Sequence, residues 1–350
     1  MKLNDFLVDK NASVREALSR LNDLEERNPI VFVIDAKNKL LGSLTDGDIR
    51  RAILDKFKLK NQVYSICKKR PKFIRKENPN IESLIKYRKD DLNFIPVLDK
   101  NDCIVDLINF RTMKSYLPID VVLMAGGMGK RLLPITLDLP KPMIEIGETP
   151  IIEHNLKRFF LFGIRNFWIS INYKGELIKS FFKEKKTSGN SIKFIEEKSP
   201  LGTVGSVSLI NNFKQDYVII MNSDILTDLN FEVFFMDFIN SKVDVSMITI
   251  PYKVDIPFGV IKSKNDYVSE INEKPSYSFD TSGGIYLMKK SILKLIPYNS
   301  YFDFTDFINL LLENGKKIKK YNFSGYWLDI GSHGDLEKAK IDIKSLNLDK

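Results

Sequence analysis

The stretch Gly126-Gly127-Met128-Gly129-Lys130-Arg131-Leu132-Leu133-Pro134, followed by Pro140-Lys141-Pro142, combines residue types and spacing that could do chemistry. Glycines directly after an apolar run, here Val121–Ala125, let backbone N–H groups approach phosphate oxygens that a side chain would hold away. With Arg131 and Lys141 adding charge, the loop suits a polyphosphate, although a plain glycine turn with two surface cations fits the same residues. No Gly-Lys-Ser/Thr follows at the spacing of a Walker loop, and Leu132 stands where a dinucleotide fingerprint needs its third glycine.

The pattern around the loop predicts the elements that hold it. Val121–Ala125, Asn166–Asn172, Ser191–Glu196 and Tyr217–Met221 read as strands, and Ile152–Phe162 and Glu176–Lys183 as helices. That alternation argues for an α/β fold, a Rossmann-like and mainly parallel sheet with helices on both faces, over residues 119–350. Ligands of such sheets sit at the carboxyl ends of the strands, which is where the glycine loop falls.

The first third of the chain has a different rhythm, given twice. Helix Ser13–Leu24 precedes strands Ile30–Asp35 and Leu40–Leu44 and a helix Asp48–Leu54. Helix Ile81–Lys86 precedes strands Asn93–Asp99 and Cys103–Ile108. The turns Asp-Ala-Lys-Asn at 35–38 and Asp-Lys-Asn-Asp at 99–102 match. Units this small should share one core.

Composition removes several classes. The net charge is +9, from 54 Lys and Arg against 45 Asp and Glu, with most of the excess before residue 119. Lys68, Lys69, Arg70, Lys72, Arg75 and Lys76 form a basic run that holds a single aromatic, Phe73, and matches no nucleic-acid module, so a solvated face or small-anion site is expected there, and no nucleic-acid partner. No apolar run reaches the ~20 residues of a membrane span. Asp5 and Asp9 sit where a secretory signal would be basic and then apolar. A soluble cytoplasmic protein is the expectation, with Cys67 and Cys103 reduced. His154 and His333 match no catalytic need.

Residues 126–142 resemble the signature of the sugar-1-phosphate nucleotidyltransferases, Gly-Gly-x-Gly-x-Arg-Leu-x-Pro-x-Thr followed by Pro-Lys-Pro, with Arg131, Thr136 and Lys141 matching. The resemblance runs on through Pro200-Leu201-Gly202-Thr203, Asn222-Ser223-Asp224, Phe258-Gly259-Val260, Glu273-Lys274-Pro275, Gly284-Ile285-Tyr286 and Tyr326-Trp327-Leu328-Asp329-Ile330-Gly331. It implies that a sugar 1-phosphate attacks the α-phosphorus of a nucleoside triphosphate and releases pyrophosphate. The attacking phosphate is largely dianionic at neutral pH, its second pKa being about 6, so no general base is required. By the same resemblance Asp224 and Asp329 would hold Mg²⁺, Arg131 the leaving end of the triphosphate, and Lys141 the charge around the α-phosphate. Ala125, Gly126, Gly127, Gly129, Glu197 and Gly202 would bind the nucleotide. Gly259, Glu273, Lys274 and Ser282 would bind the sugar phosphate, Ser282 replacing the Asn more usual there.

Glu197 stands where the family places a base-reading residue. A carboxylate only accepts hydrogen bonds, and guanine offers adjacent N1–H and N2–H₂ donors, so GTP is favoured over UTP or dTTP. Glu196 or a backbone group could read the base instead. Residues 1–112, with repeats at about 1–56 and 57–112, resemble a pair of CBS modules, an α+β regulatory fold. That implies an adenine-nucleotide effector at Thr45, Asp48 and Arg50, while Asp48 could equally cap the helix after it. The second repeat has Asn109 and Thr112 at the Thr and Asp positions, so one nucleotide site per chain is expected. The two-domain order resembles guanylyltransferases of bacterial surface-sugar pathways. It implies glucosamine 1-phosphate as substrate, with mannose or glucose 1-phosphate as alternatives, and a homo-oligomer. No hexapeptide repeat follows, so acetyl transfer is not expected. A catalytically silent nucleotide-binding regulator is the rival reading.

Overall fold

Asp35 and Asp99 each end a strand and close a turn in the same way. Asp35 Oδ1 accepts from the N–H groups of Lys37 and Lys39, and Asp99 Oδ1 from those of Asn101 and Cys103, at 2.8 to 3.0 Å. Asn38 and Asp102 then take left-handed φ values of 61° and 66°, which short polar side chains tolerate. The two turns also bond each other, Leu40 N–H to the Asp102 carbonyl and Ile104 N–H to the Asn38 carbonyl, both at 3.0 Å.

Seen as a computed structural model in which residues 2–24, 28–185 and 191–346 are described, the chain divides into two units, Met1–Pro118 with Leu161–Gly163, and Ile119–Phe160 with Ile164–Lys350. In the first, β1 (Leu7–Asp9), α1 (Val14–Asp23), β2 (Ile30–Ile34), β3 (Leu40–Thr45) and α2 (Asp46–Leu54) are followed by β4 (Ile74–Arg75), α3 (Ile81–Lys89), β5 (Phe94–Leu98) and β6 (Ile104–Asn109). Each repeat makes a three-stranded sheet, parallel then antiparallel, and both hairpins slip register at the same place, Val33/Ile34 and Val97/Leu98. The core is shared: Phe94, Leu98 and Ile104 of the second repeat pack with Val31, Phe32 and Val33 of the first, and the Phe6 and Phe94 rings lie 4.9 Å apart.

Helix α2 begins two residues earlier than the expected Asp48, because Thr45 is its N-cap. Thr45 Oγ1 accepts from the Asp48 N–H, and Asp48 Oδ2 accepts from the Thr45 backbone and hydroxyl at 3.0 and 2.6 Å. Asp48 Oδ1 accepts from Arg51 at 2.6 Å, and Lys68 lies 3.4 Å from it. Burial pushes the Asp48 carboxyl up, but the bonds from Thr45 and Arg51 and the Lys68 charge outweigh it and hold it below its ordinary value. A carboxylate held low stabilises fully above about pH 4 and loses that contribution as pH falls through its folded-state value. Asp48→Ala should therefore destabilise this unit by about 1 kcal/mol at pH 7. The deficit should shrink towards pH 3 in urea unfolding, and an equal deficit at both pH values would refute the capping account.

The second unit starts with β7 (Ile119–Met124), whose Val121, Val122 and Leu123 are wholly buried, as a central parallel strand requires. It continues with β8 (Glu145–Ile146), β9 (Thr149–Pro150), α4 (Ile151–Leu161), β10 (Asn166–Ile171), α5 (Gly175–Glu184), β11 (Ser191–Glu196), β12 (Tyr217–Asn222), β13 (Ile225–Thr227) and α6 (Phe231–Ser241). Then come β14 (Val245–Asp255), β15 (Val260–Lys264), β16 (Tyr267–Asn272), β17 (Ser276–Lys289), α7 (Phe304–Glu313), β18 (Ile318–Asn322), β19 (Trp327–Asp329) and α8 (His333–Asp342). The main sheet has the order β11-β10-β7-β12-β17-β14-β18, and every pairing in it is parallel except the two made by β17. Strands β14 and β17 keep pairing through Asp255 and Ser276, and the β15–β16 hairpin lies between them in sequence. This extension is exposed, Phe258 and Tyr267 included.

Candidate active site

The four neighbours β11, β10, β7 and β12 end at one edge of the sheet, and the residues at the ends of β11, β7 and β12 build much of a cleft of about 370 Å³. Strand β7 supplies Met124, Ala125, Gly126 and Gly127; β11 leads to Glu197; β12 leads to Asn222, Ser223 and Asp224. Lys141, Gly202 and Thr203 complete much of the wall. The strand ends are stitched together: Ala125 N–H bonds the Ser170 carbonyl at 2.8 Å, and the Ser223 hydroxyl bonds the Met124 carbonyl at 2.7 Å.

The glycine loop turns at Gly129, where φ is +62° and a Cβ would fall 2.9 Å from Thr136 Cγ2 and 3.1 Å from Lys141 Cβ. Only glycine accepts both conditions, and the Thr136 hydroxyl locks the turn by donating to the Gly129 carbonyl at 3.0 Å. That packing carries Lys141 inward until it is 9% exposed.

Asp224 and Asp329, far apart in sequence, meet because β13 and β19 pair antiparallel with Ile225 opposite Asp329. The Ile330 N–H donates to the Asp224 carbonyl at 3.1 Å and clamps the junction. Lys141 Nζ bonds Asp224 Oδ2 directly and lies 3.5 Å from Asp329 Oδ1. Burial, and then the Asp224 charge, raise the Asp329 carboxyl above its ordinary value, while Lys141 and Arg131 pull against that shift. Arg131 Nη2 lies 3.1 Å from where a Cβ of Gly331 would stand, so the guanidinium rests against the turn after β19. Asp224 Oδ1 is buried without a hydrogen-bond partner. Two hard oxygen donors, one of them unsatisfied, suit a divalent cation that fills most of its shell with phosphate and water. Among the described residues no group of three His, Cys, Asp or Glu stands close enough to hold a metal.

Glu197 lies at the other end of the cleft, held at both oxygens. Oε1 accepts from the Ser170 hydroxyl at 2.6 Å and Oε2 from the Leu201 N–H at 3.1 Å. Glu196 pairs with Lys179 on the exposed side and is absent from the cleft wall. Gly202 has φ +77°, and a Cβ there would come within 2.6 Å of the Phe302 carbonyl.

Gly259 and Glu273 come together on the exposed extension, where a Gly259 Cβ would lie 3.1 Å from Glu273 Oε2. Lys274 beside them is exposed with φ 45°. These three are outside the cleft lining, and so is Ser282, whose hydroxyl bonds that of Tyr286 at 2.7 Å. His154 is buried with Nε2 2.9 Å from the Ile146 carbonyl, and His333 Nε2 lies 2.8 Å from the Leu133 carbonyl. In the first unit, Arg50 pairs with Asp46 on the surface and Asp48 is committed to capping, while Asn109 Oδ1 accepts from the Arg111 N–H in a turn after β6. Cys67 and Cys103 are both free thiols. No helix among the described residues is long and apolar enough to cross a membrane.

Sequence reasoning missed Tyr301 and Asp303, which line the cleft. Asp303 precedes α7 and reads as its cap, yet it turns to the Thr203 N–H and hydroxyl at 3.0 and 3.1 Å, and the Tyr301 hydroxyl donates to it at 2.8 Å. Thr203 bonds the helix in its place, accepting from Phe304 N–H at 2.7 Å.

A glycine loop and Asp224 at the carboxyl ends of a mainly parallel sheet, with Lys141 and the Asp329 of the β13–β19 pair brought against Asp224, are the site of an α/β protein built to handle phosphate groups. The chain belongs to the nucleotidyl transferase family, whose profile matches residues 120–345, and a CBS domain profile matches residues 1–55. It is 31% identical over 231 residues to a mannose-1-phosphate guanyltransferase of Debaryomyces hansenii, with 63% of each chain covered, so it spans under two thirds of that relative's length. It is 28% identical to the D-glycero-alpha-D-manno-heptose 1-phosphate guanylyltransferase of Aneurinibacillus thermoaerophilus, over 65% of this chain and 99% of that one. Among solved structures, HddC from Yersinia pseudotuberculosis complexed with GMP-PN shares 25% identity at a TM-score of 0.51, covering 64% of this chain and 99% of HddC.

Proposed function

We propose that this chain transfers GMP from GTP to a sugar 1-phosphate, giving a GDP-sugar and pyrophosphate. The observation that carries the reading is that Lys141 and Asp224 pair at one end of a cleft whose glycine wall leads to Glu197 at the other, with Asp329 held against Lys141 just outside the lining. Ala125, Gly126, Gly127, Gly129 and Gly202 would line the nucleotide's path, their backbones leaving room for phosphate and ribose. Glu197 would accept from guanine N1–H and N2–H₂, since each of its oxygens keeps a free lone pair after its bond to Ser170 or Leu201. Two of the relatives named above are guanylyl or guanyl transferases, which supports GTP as donor.

Asp224 and Asp329 would hold Mg²⁺, which when bound neutralises phosphate charge and aligns the two reactants. Lys141 would trade its carboxylate partners for oxygens of the α-phosphate and the incoming sugar phosphate. Arg131, on the exposed side of the acidic pair, would take the charge that builds on the departing pyrophosphate. Glu273 and Lys274, with Gly259 against them, would meet the sugar phosphate from the extension, and Ser282 would meet it from β17.

The sugar we favour is glucosamine 1-phosphate, because the two-domain order resembles the glucosamine-1-phosphate guanylyltransferase of legionaminic acid synthesis. The names of the relatives put mannose and heptose 1-phosphates beside it. Thr45, Asp48 and Arg50 would form an adenine-nucleotide effector site only if α2's capping contacts rearrange. A cytoplasmic homo-oligomer completes the proposal.

The test is pyrophosphate release with Mg²⁺, crossing five nucleoside triphosphates with glucosamine, mannose, heptose and glucose 1-phosphates. Release with GTP and one sugar is expected; silence throughout, with and without AMP or ATP, would leave a regulatory nucleotide-binding role. Glu197→Gln replaces one acceptor by a donor, so the kcat/KM preference for GTP over UTP should fall by about tenfold or more. An unchanged preference would remove Glu197 as the base reader.

A further inference from the structure

Ser170 is a wholly buried hydroxyl, and its one side-chain bond goes to Glu197. Strand β10 fixes its backbone between Met124 of β7 and Ile195 of β11, and its carbonyl accepts from Ala125 N–H. With its backbone fixed and its side chain one bond long, the hydroxyl marks where Glu197 Oε1 lies. On the other oxygen, the Leu201 N–H closes a short loop back onto Glu197. The Glu197 backbone is tied as well, its N–H to the Ile171 carbonyl and its carbonyl to Asn172 Nδ2 at 2.8 Å. A Cβ at Gly126 would fall 3.2 Å from Oε1, so the glycine loop leaves that face of the carboxylate open to the cleft.

A carboxylate recognises two parallel donors only when its plane is aligned with them, and a twist about its last bond breaks one of the pair. A free glutamate spends most of its time misaligned and must be ordered on binding. From these contacts we infer that Ser170 is a positioning residue for base selection: its hydroxyl holds the Glu197 carboxylate in the plane that accepts the N1–H and N2–H₂ edge of guanine. This rests on the guanylyl-transfer reading above and extends it to a residue that touches no substrate.

The experiment measures GTP and UTP affinity by calorimetry on the full chain with Mg²⁺ and no sugar phosphate, for wild type, Ser170→Ala, Glu197→Ala and the double variant. Ser170→Ala should lower the GTP-to-UTP affinity ratio about tenfold, mainly through weaker GTP binding, as expected for a lost bond to a charged group. In the Glu197→Ala background the same substitution should leave the ratio unchanged, because a residue acting through a carboxylate has nothing to act on once that carboxylate is gone. Ser170→Thr, which keeps the hydroxyl, should retain the preference. An unchanged ratio in Ser170→Ala, an equal loss for both nucleotides, or the same tenfold effect without Glu197 would each overturn the inference. A wild-type chain that does not prefer GTP would overturn the guanylyl reading and this one with it, and that outcome is visible before any variant is made.

Discussion

Asp224→Asn should cut Mg²⁺-dependent pyrophosphate release by about a thousandfold or more, since a metal stabilises the developing charge by several kcal/mol and Asn is a poor ligand for a hard cation. The fold should survive. Asp224 sits after β12 and before β13, its backbone carbonyl bonded to Ile330 N–H, and that bond does not depend on the side chain. Oδ1 is buried with no partner, so the substitution breaks no hydrogen bond on that side, and it only weakens the contact with Lys141. Circular dichroism and the melting temperature should match wild type within a few degrees, while added Mg²⁺ should no longer raise that temperature. Turnover within tenfold of wild type would show that the metal is held elsewhere.

Lys141→Met should reduce turnover by roughly a hundredfold, the scale of losing one charge-stabilising group in a preorganised site. Its second effect separates the charge argument from a packing argument. Without the ammonium, Asp224 and Asp329 face each other with Arg131 as the cation still acting on Asp329, and Asp329 is already pushed up by burial and by Asp224. Asp329 keeps 41% of its side-chain surface exposed, so the penalty is smaller than for a fully buried pair, about 1 to 3 kcal/mol. The variant should therefore melt lower than wild type in EDTA, more so at pH 8 than at pH 5, because protonating one carboxylate relieves the repulsion. Mg²⁺ should stabilise it more than it stabilises wild type. A pH-independent deficit that Mg²⁺ does not reduce would mean that Lys141 matters through its packed methylenes alone.

Much of the candidate site is legible along the chain because phosphate chemistry dictates residue types. The spacing of Gly129, Arg131 and Lys141 suits a polyphosphate, the particular role expected of each cation comes from the family resemblance, and Val121–Ala125 reads as a buried strand without any knowledge of its neighbours. The repeat in the first unit is equally local, since an Asp that accepts from residues two and four positions on needs only its own turn, and Asp35 and Asp99 both do this. Helix α2 shows the limit of local reading. Thr45 and Asp48 can bind a ribose or cap a helix with the same atoms, and the side-chain bonds show both oxygens of Asp48 in use, Oδ2 in the cap with Thr45 and Oδ1 in an ion pair with Arg51.

The types of the groups, their order, and the strand ends on which they fall were determined by the sequence alone, because periodicity and the needs of an anion act over a few residues. Which groups meet was decided only in three dimensions. Asp329 reaches Asp224 through the pairing of β19 with β13, Glu197 rather than Glu196 faces the cleft through the register of β11 on β10, and Asp303 leaves its own helix for Thr203. Gly259, Glu273 and Lys274 read as a continuous part of the motif set, yet they sit on an exposed extension outside the cleft wall. Long-range pairing follows from the burial of whole strands, and a stretch of sequence does not carry the identity of the strand it will lie against.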